Sequence, residues 1–442
     1  MARKLLCSIF LFSILSWQSY GAPIGTSPPH STLSKREAFE VLQRGGYKWS
    51  LTKTLEPEAE AKLQESQSEM RPRFQLGFRQ YAARINPIQF GGVNSESIDT
   101  VGFGTSALEM KWSIIDSISQ IKAVEAEANY KMSSAQAKHY QSELTALMLI
   151  QYLNVQRLQK QIELMDANIA KSKLILKVIE IKKNIGAGIP LEIARAKNLL
   201  QLDNLKKVTT VIKHKKAKSE LATTLGVEAI PDLQPLEAQM IRINSPQAVV
   251  EKTQSTRNDL KAAQFALEAA RKAQDKSGGL ILPKLDLISE IGSTQPTLLG
   301  MPAKNANGFV GIALSIPLET GGLIEGKRKE IAILNQKADL QVRELSAVVK
   351  AQIKEAIEQF SASEEALSAS ADYLKTAEEE SSLAQKKYAG GSSSILDLTS
   401  AHTNFAAAND MRVEQIFNYE AAKVNLYRAI GDFSDYFPPE RK

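Results

Sequence analysis

The residue types that most often do chemistry are sparse and scattered in this chain. Its four histidines, His30, His139, His214 and His402, stand far apart. His139 and Glu143 lie one helical turn apart and could share a metal, but no third ligand is near them; such a pair is ordinarily a solvated helix face. No Ser/His/Asp set and no paired-carboxylate signature emerges, so no enzyme is expected. The segment GGLIEGKR, 321–328, has the G-x-x-x-x-G-K spacing of a phosphate-binding loop, yet Arg328 stands where the magnesium-binding hydroxyl belongs. Its glycines read instead as a strand turning directly into a helix. The run KKVTTVIKHKKAK, 206–218, is basic without interleaved aromatics, which predicts a solvated or partner-facing helix surface and no nucleic-acid site. No cofactor is expected.

The ends of the chain say where it works. MARKLLCSIFLFSILSWQSYGAP has a basic pair, an apolar core from Leu5 to about Trp17 and small residues after it. It reads as a secretory signal peptide over residues 1–21, cut after Gly21 or Ala22, because the core is short for a membrane span. The only cysteine, Cys7, lies inside it, so the exported chain has no thiol and no disulfide. No later stretch is apolar enough for a transmembrane helix, which leaves a soluble exported protein or a β-barrel. At 43% apolar, 24% charged and net +6, the 442 residues are ordinary for a folded chain.

The elements come in two similar halves. After a Pro/Ser/Thr linker, 22–34, a short amphipathic helix is expected from Lys35 to Arg44 under a Ser34 cap, then another from Pro57 to Met70. Residues 117–185 and 327–389 contain neither glycine nor proline, and helices of that length would reach roughly 100 Å. Their apolar residues recur at coiled-coil spacing: Leu158, Ile162, Met165 and Ile169 in one, Ile331, Leu334, Ala338 and Val342 in the other. Each long helix ends at a glycine break, NIGAGIPLEI (184–193) or GGSSSILDL (390–398), and restarts. One ungapped offset of 205 positions superposes Gly186 on Gly391, Glu192 on Asp397, Ala196 on Ala401, Leu221 on Leu426 and Gly226 on Gly431. The chain is a tandem duplication: a first repeat over 35–226, a linker over 227–246, a second repeat over 247–431 and a tail from 432 to 442.

Before each long helix lie two strand-like segments, 73–81 and 100–112, then 284–292 and 308–316. Each is about the length a tilted transmembrane strand needs, and the change of apolar parity in SALEMKW, 106–112, predicts a bulge. Segments 82–99 and 293–307, rich in Asn, Gly and Pro, read as loops. Four strands cannot close a barrel, so either the sheet is an ordinary soluble one or several chains share it.

With these features in place, the chain resembles the TolC-like outer-membrane efflux family. TLSKREAFEVLQRGG, IPLETGGLIEGKRKEIA, RNDLKAAQFALEAARKA and the tip KKYAGGSSSILDLTSAHTNF carry the resemblance, the last through Tyr388, Gly391, Asp397 and Leu398. It implies a mainly α fold with a β-barrel part. Three copies would form one tube, with twelve strands across the outer membrane and the long hairpins as an α-helical barrel in the periplasm. Such a tube is a passive exit duct that docks to a periplasmic adaptor and an inner-membrane transporter. Gly186, Gly188, Gly390 and Gly391 would mark the docking tips. The family's gate link falls on Tyr388 and Glu192, and its entrance carboxylate on Asp397. A second family link is missing, since its arginine and threonine positions hold Ser393 and Leu191; the next acidic position holds Ser400, which implies a single acidic ring. The alternative on the residues alone is a periplasmic coiled-coil scaffold without a pore.

Overall fold

The computed structural model describes residues 32–85, 99–184, 189–238, 253, 256–298, 301–302, 305–318 and 320–437. Helix α1 spans Lys35–Gly45, and Ser34 opens it with a capping box: its hydroxyl accepts from the Glu37 amide while the Glu37 carboxylate accepts from the Ser34 amide. Helix α2, Tyr47–Ser68, begins well before the expected start and runs through Pro57. Proline weakens a helix interior, but here Trp49 and Thr52 upstream of it and Ala59 downstream are buried, so packing carries the helix across.

Helices α3, Ser117–Asn184, and α4, Pro190–Leu225, make the first hairpin; α6, Leu323–Ala389, and α7, Ile395–Ile430, make the second. Helix α5, Asn258–Ser277, packs on α3 and α6. The duplication is visible in the geometry, because α4 and α7 are both 36 residues long and both end on a left-handed glycine, Gly226 and Gly431. Buried positions recur every seven residues: Leu158, Met165, Ser172 and Ile179 on α3, Ile353, Phe360 and Leu367 on α6. That is a two-helix seam rather than a broad globular face. Helix α3 packs on both α4 and α7, and α7 packs on α6, so the order across the chain is α4, α3, α7, α6. At the base of the hairpins α1, α3, α4 and the tail meet in a core built on Leu42, Trp49, Leu149, Tyr152, Leu221, Leu225 and Phe433.

The sheet is antiparallel: β1 (Arg73–Ile85), β2 (Asp99–Ile115), β3 (Lys284–Leu298), then β5 (Asn305–Ser315), with the two-residue β4 (Met301–Pro302) on the end of β3. Two expectations need correction. Pairing between β1 and β2 is continuous through SALEMKW, and the register shift comes later, between Ser113 and Ile115. Leu108, Met110, Trp112 and Ile115 thereby stay on one face although the residue parity changes. The expected loop 293–307 is largely strand, because Ser293 and Thr294 pair with Ala306 and Asn305 and satisfy the backbone there. Its first-half counterpart lies outside the described residues over 86–98.

The two faces of the sheet differ sharply. One carries Phe74, Leu76, Leu108, Ile291, Val310, Ile312 and Leu314, all exposed. The other carries Arg79 paired with Glu109 at 2.6 Å and Lys111 with Asp286 at 3.6 Å. A soluble sheet covers its apolar face, so this one is inside out with respect to water. Among the described residues no helix is long and apolar enough to cross a membrane.

Candidate functional site

The hairpin tips hold the residues that the sequence singles out. Helix α6 stops at Ala389; Gly391, at φ +74°, reverses the chain, and the Ser392 amide donates back to the Lys387 carbonyl at 3.0 Å. Helix α7 then starts on a second capping box, in which Ser394 and Asp397 bond reciprocally. Asp397 Oδ2 accepts from the Ser394 amide at 3.0 Å and from the Ser393 and Ser394 hydroxyls at 2.9 Å. The Ser394 amide is the chief cause that holds its carboxyl below the usual carboxylate range. Asp397 is therefore ionised and occupied by the cap of its own helix. Gly186 and Gly188 lie outside the described residues.

Tyr388 and Glu192 do meet. The ring of Tyr388 is 4% exposed and packs among Ile175, Ile179, Ala196, Ile395 and Leu398, which come from α3, α4 and α7. Its hydroxyl donates to Glu192 Oε2 at 3.4 Å, the long end of a hydrogen bond. Lys182 sits over the ring at 3.8 Å and donates to the Tyr388 carbonyl at 3.2 Å. Burial first, and the Glu192 charge second, push the phenol above its ordinary range, so it stays a donor. The two hairpins are thus latched together at their ends.

A second buried polar contact between the hairpins escapes the sequence. Ser172 on α3 donates to Asp203 Oδ2 on α4 at 2.5 Å, and His402 Nε2 on α7 lies 3.1 Å from the same hydroxyl. A serine, an aspartate and a histidine that no spacing connects therefore do come together, contrary to expectation. They do not make a nucleophile. The carboxylate accepts the one hydrogen bond the serine hydroxyl can donate, so His402 Nε2–H must be the donor to Ser172, and Nδ1 is left buried without a partner. A catalytic relay needs the carboxylate on the far imidazole nitrogen and a reachable hydroxyl, whereas Ser172 is fully buried. The cluster braces three helices.

Desolvation lowers the pKa of His402, opposed by Asp203 and reinforced by Lys171 and Lys206. A histidine held neutral in the fold contributes stability that is present above its unfolded pKa, about 6.5, and lost as pH falls below it toward the folded value. Thermal melting of the assembled protein should therefore weaken below about pH 6.5. His402→Gln should flatten that dependence, and an unchanged profile would show that the brace does not titrate.

The other candidates resolve into structure. Glu143 is taken by Arg428 at 2.5 Å, which leaves His139 without a co-ligand, and no metal-binding group occurs among the described residues. In GGLIEGKR, Gly321 and Gly322 have positive φ and turn β5 toward α6, while Arg328 donates to the Ser277 and Gly278 carbonyls at 3.2 Å. In the basic run, Lys207 pairs with Asp166 at 2.5 Å and Lys218 with Asp232 at 3.2 Å.

Residues 249–432 match the family described as outer membrane efflux protein. The chain is 21% identical to outer membrane protein TolC of Escherichia coli over 394 residues, covering 85% of this chain and 77% of that one. To the toluene efflux pump outer membrane protein TtgF of Pseudomonas putida it is 21% identical over 363 residues, 79% of this chain and 72% of that one. In fold it is similar to the CmeC outer membrane channel of Campylobacter jejuni, at TM-score 0.79 and 14% identity over 93% of this chain and 90% of that one. The outer membrane protein VceC of Vibrio cholerae superposes at TM-score 0.77 and 16% identity, over 90% of this chain and 96% of that one.

Proposed function

We propose that the chain is a member of the TolC-like outer-membrane efflux family and the exit duct of a tripartite efflux or type I secretion system. The observation that carries this reading is the sheet: an exposed apolar face, a charged opposite face, and two open edges, β1 and β5. Three copies joined edge to edge would give twelve strands, with lipid against Phe74, Leu108 and Val310 and water against Arg79, Glu109 and Glu290. The hairpins would then line one tube through the periplasm. The tips, around Gly390 and Gly391 and around Gly186 and Gly188, would meet a periplasmic adaptor, and the energy would come from an inner-membrane transporter.

In this reading the Tyr388–Glu192 bond and its threefold repeats hold the entrance narrow, and Asp397 places a ring of negative charge there. Planar-bilayer recording of the purified trimer tests it. Tyr388→Phe should raise conductance. Asp397→Asn, which removes the charge and keeps a cap acceptor, should lower cation selectivity. Wild-type currents in both variants would overturn the gate, and pores formed by a monomer would overturn the duct.

A further inference from the structure

We propose that Lys215 and Lys216 on α4 of one copy pair with Glu365 and Glu364 on α6 of a second copy, forming a charged seam partway up the helical tube. The proposal rests on the trimeric duct reading and names the side chains that join its copies.

Above the tip, where Tyr388 of α6 meets Glu192 of α4, the described chain has two flanks without a neighbour of its own. Across the hairpins the order is α4, α3, α7, α6, and across the sheet it is β1, β2, β3, β5. First-half elements, α4 and β1, therefore form one flank, and second-half elements, α6 and β5, form the other. A head-to-tail ring that pairs β5 with the β1 of the next copy must also set α6 against the next α4.

Height then selects the partners. The Tyr388–Glu192 bond places the end of α6 level with the start of α4, and the two helices run in opposite directions. Each step up α4 from Glu192 therefore matches one step back along α6 from Tyr388. Lys215 comes level with Glu365 and Lys216 with Glu364, roughly 35 Å above the tip. The α4 residues buried on α3 are Asp203, Thr210, Ala217 and Leu221, and Lys215 lies on the opposite side, as exposed as Leu205, Val208 and Ile212 beside it. On α6, Phe360, Leu367 and Ser370 face inward, and Glu365 lies across from them, exposed. Among the described residues, Lys215, Glu364 and Glu365 have no ion pair within their own chain, and Lys216 reaches only Glu220, at 3.8 Å. Basic residues on one flank thus meet acidic residues at the same level on the other. A single exposed pair contributes little, but here the pairs recur at every seam, next to the apolar Ile212.

The test uses the full chain in its own membrane, where Cys7 is the only native cysteine. Lys215→Cys with Glu365→Cys, treated with a short bis-maleimide, should run as covalent dimer and trimer. Lys215→Cys with Asp372→Cys, two turns off level, should stay monomeric on the denaturing gel. Separately, Lys215→Glu with Lys216→Glu should raise the subunit dissociation constant at low salt by roughly tenfold or more. Adding Glu364→Lys and Glu365→Lys should restore it. A normal trimer in which the level pair does not cross-link, or whose assembly ignores the reversal, overturns the seam and leaves the duct standing. Absence of any trimer in the unmodified protein overturns the duct itself.

Discussion

Ile291→Arg is expected to keep the chain out of the outer membrane, while Glu290→Arg, one position away, is expected to leave it there. Ile291 lies near the middle of β3 and is 66% exposed, in a row with Leu76 and Leu108. An arginine on the lipid face of a barrel costs about 2–4 kcal/mol near the bilayer midplane, and a trimer repeats that cost three times. Glu290 points to the other face, directly across from Glu109, where an arginine would replace a like-charge neighbour with an opposite one. The check is the amount of heat-modifiable trimer in the outer-membrane fraction. Equal yields from the two variants would mean that the apolar face does not meet lipid.

The second large effect is expected at Gly226. Its φ is +73°, and a Cβ there would stand 2.1 Å from the Gly45 carbonyl oxygen and 2.8 Å from its carbonyl carbon. Both atoms are backbone, so no rotamer relieves the overlap. Gly226→Ala must force the end of α4 away from the junction of α1 and α2, opening the core around Leu42 and Leu225. A loss of more than about 4 kcal/mol is expected, seen as failure to accumulate folded trimer. Gly391 is the control. Its φ of +74° is nearly the same, but nothing lies within 4 Å of its Cβ position. Gly391→Ala should cost only the left-handed backbone term, about 1–2 kcal/mol, and leave assembly intact. A bulky residue at Gly391 can therefore be used to ask whether an adaptor grips that tip. If both alanine variants assemble equally, the contact between Gly226 and Gly45 is not the constraint described.

Local chemistry made much of this legible in the sequence. Glycine breaks, serine caps and the seven-residue repeat act over a few positions, and they led to α3, α4, α6, α7 and the turn at Gly391. The offset of 205 positions was legible because duplicated hairpins keep their small buried residues, such as Ala196 and Ala401. The Ser172–Asp203–His402 brace was not. Its members sit on three helices, and each occupies a seam position where a polar residue reads as a weak point of a coil. The one available signal was polarity at those seam positions. The passage of α2 through Pro57 was also hidden, since it depends on tertiary burial of Trp49 that a local preference cannot report. For Tyr388 and Glu192 the residues alone suggested nothing. The family resemblance pointed to them, and the shared packing of α3, α4, α6 and α7 puts them in contact.

The open strands β1 and β5 and the bare apolar face between them have a consequence for biogenesis. If the chain works as the proposed duct, a copy that has just crossed the inner membrane carries two unsatisfied strand borders and an oily sheet through water until two sister copies in a bilayer cover them. Its hazard is set by time spent alone. Synthesis that outruns insertion lengthens that interval, whereas crowding at the insertion site shortens it, because the third copy must arrive before a wrong strand does. In the duct reading, the time a copy spends alone before it meets its sisters is therefore as much a condition for a working tube as the stability of the finished one.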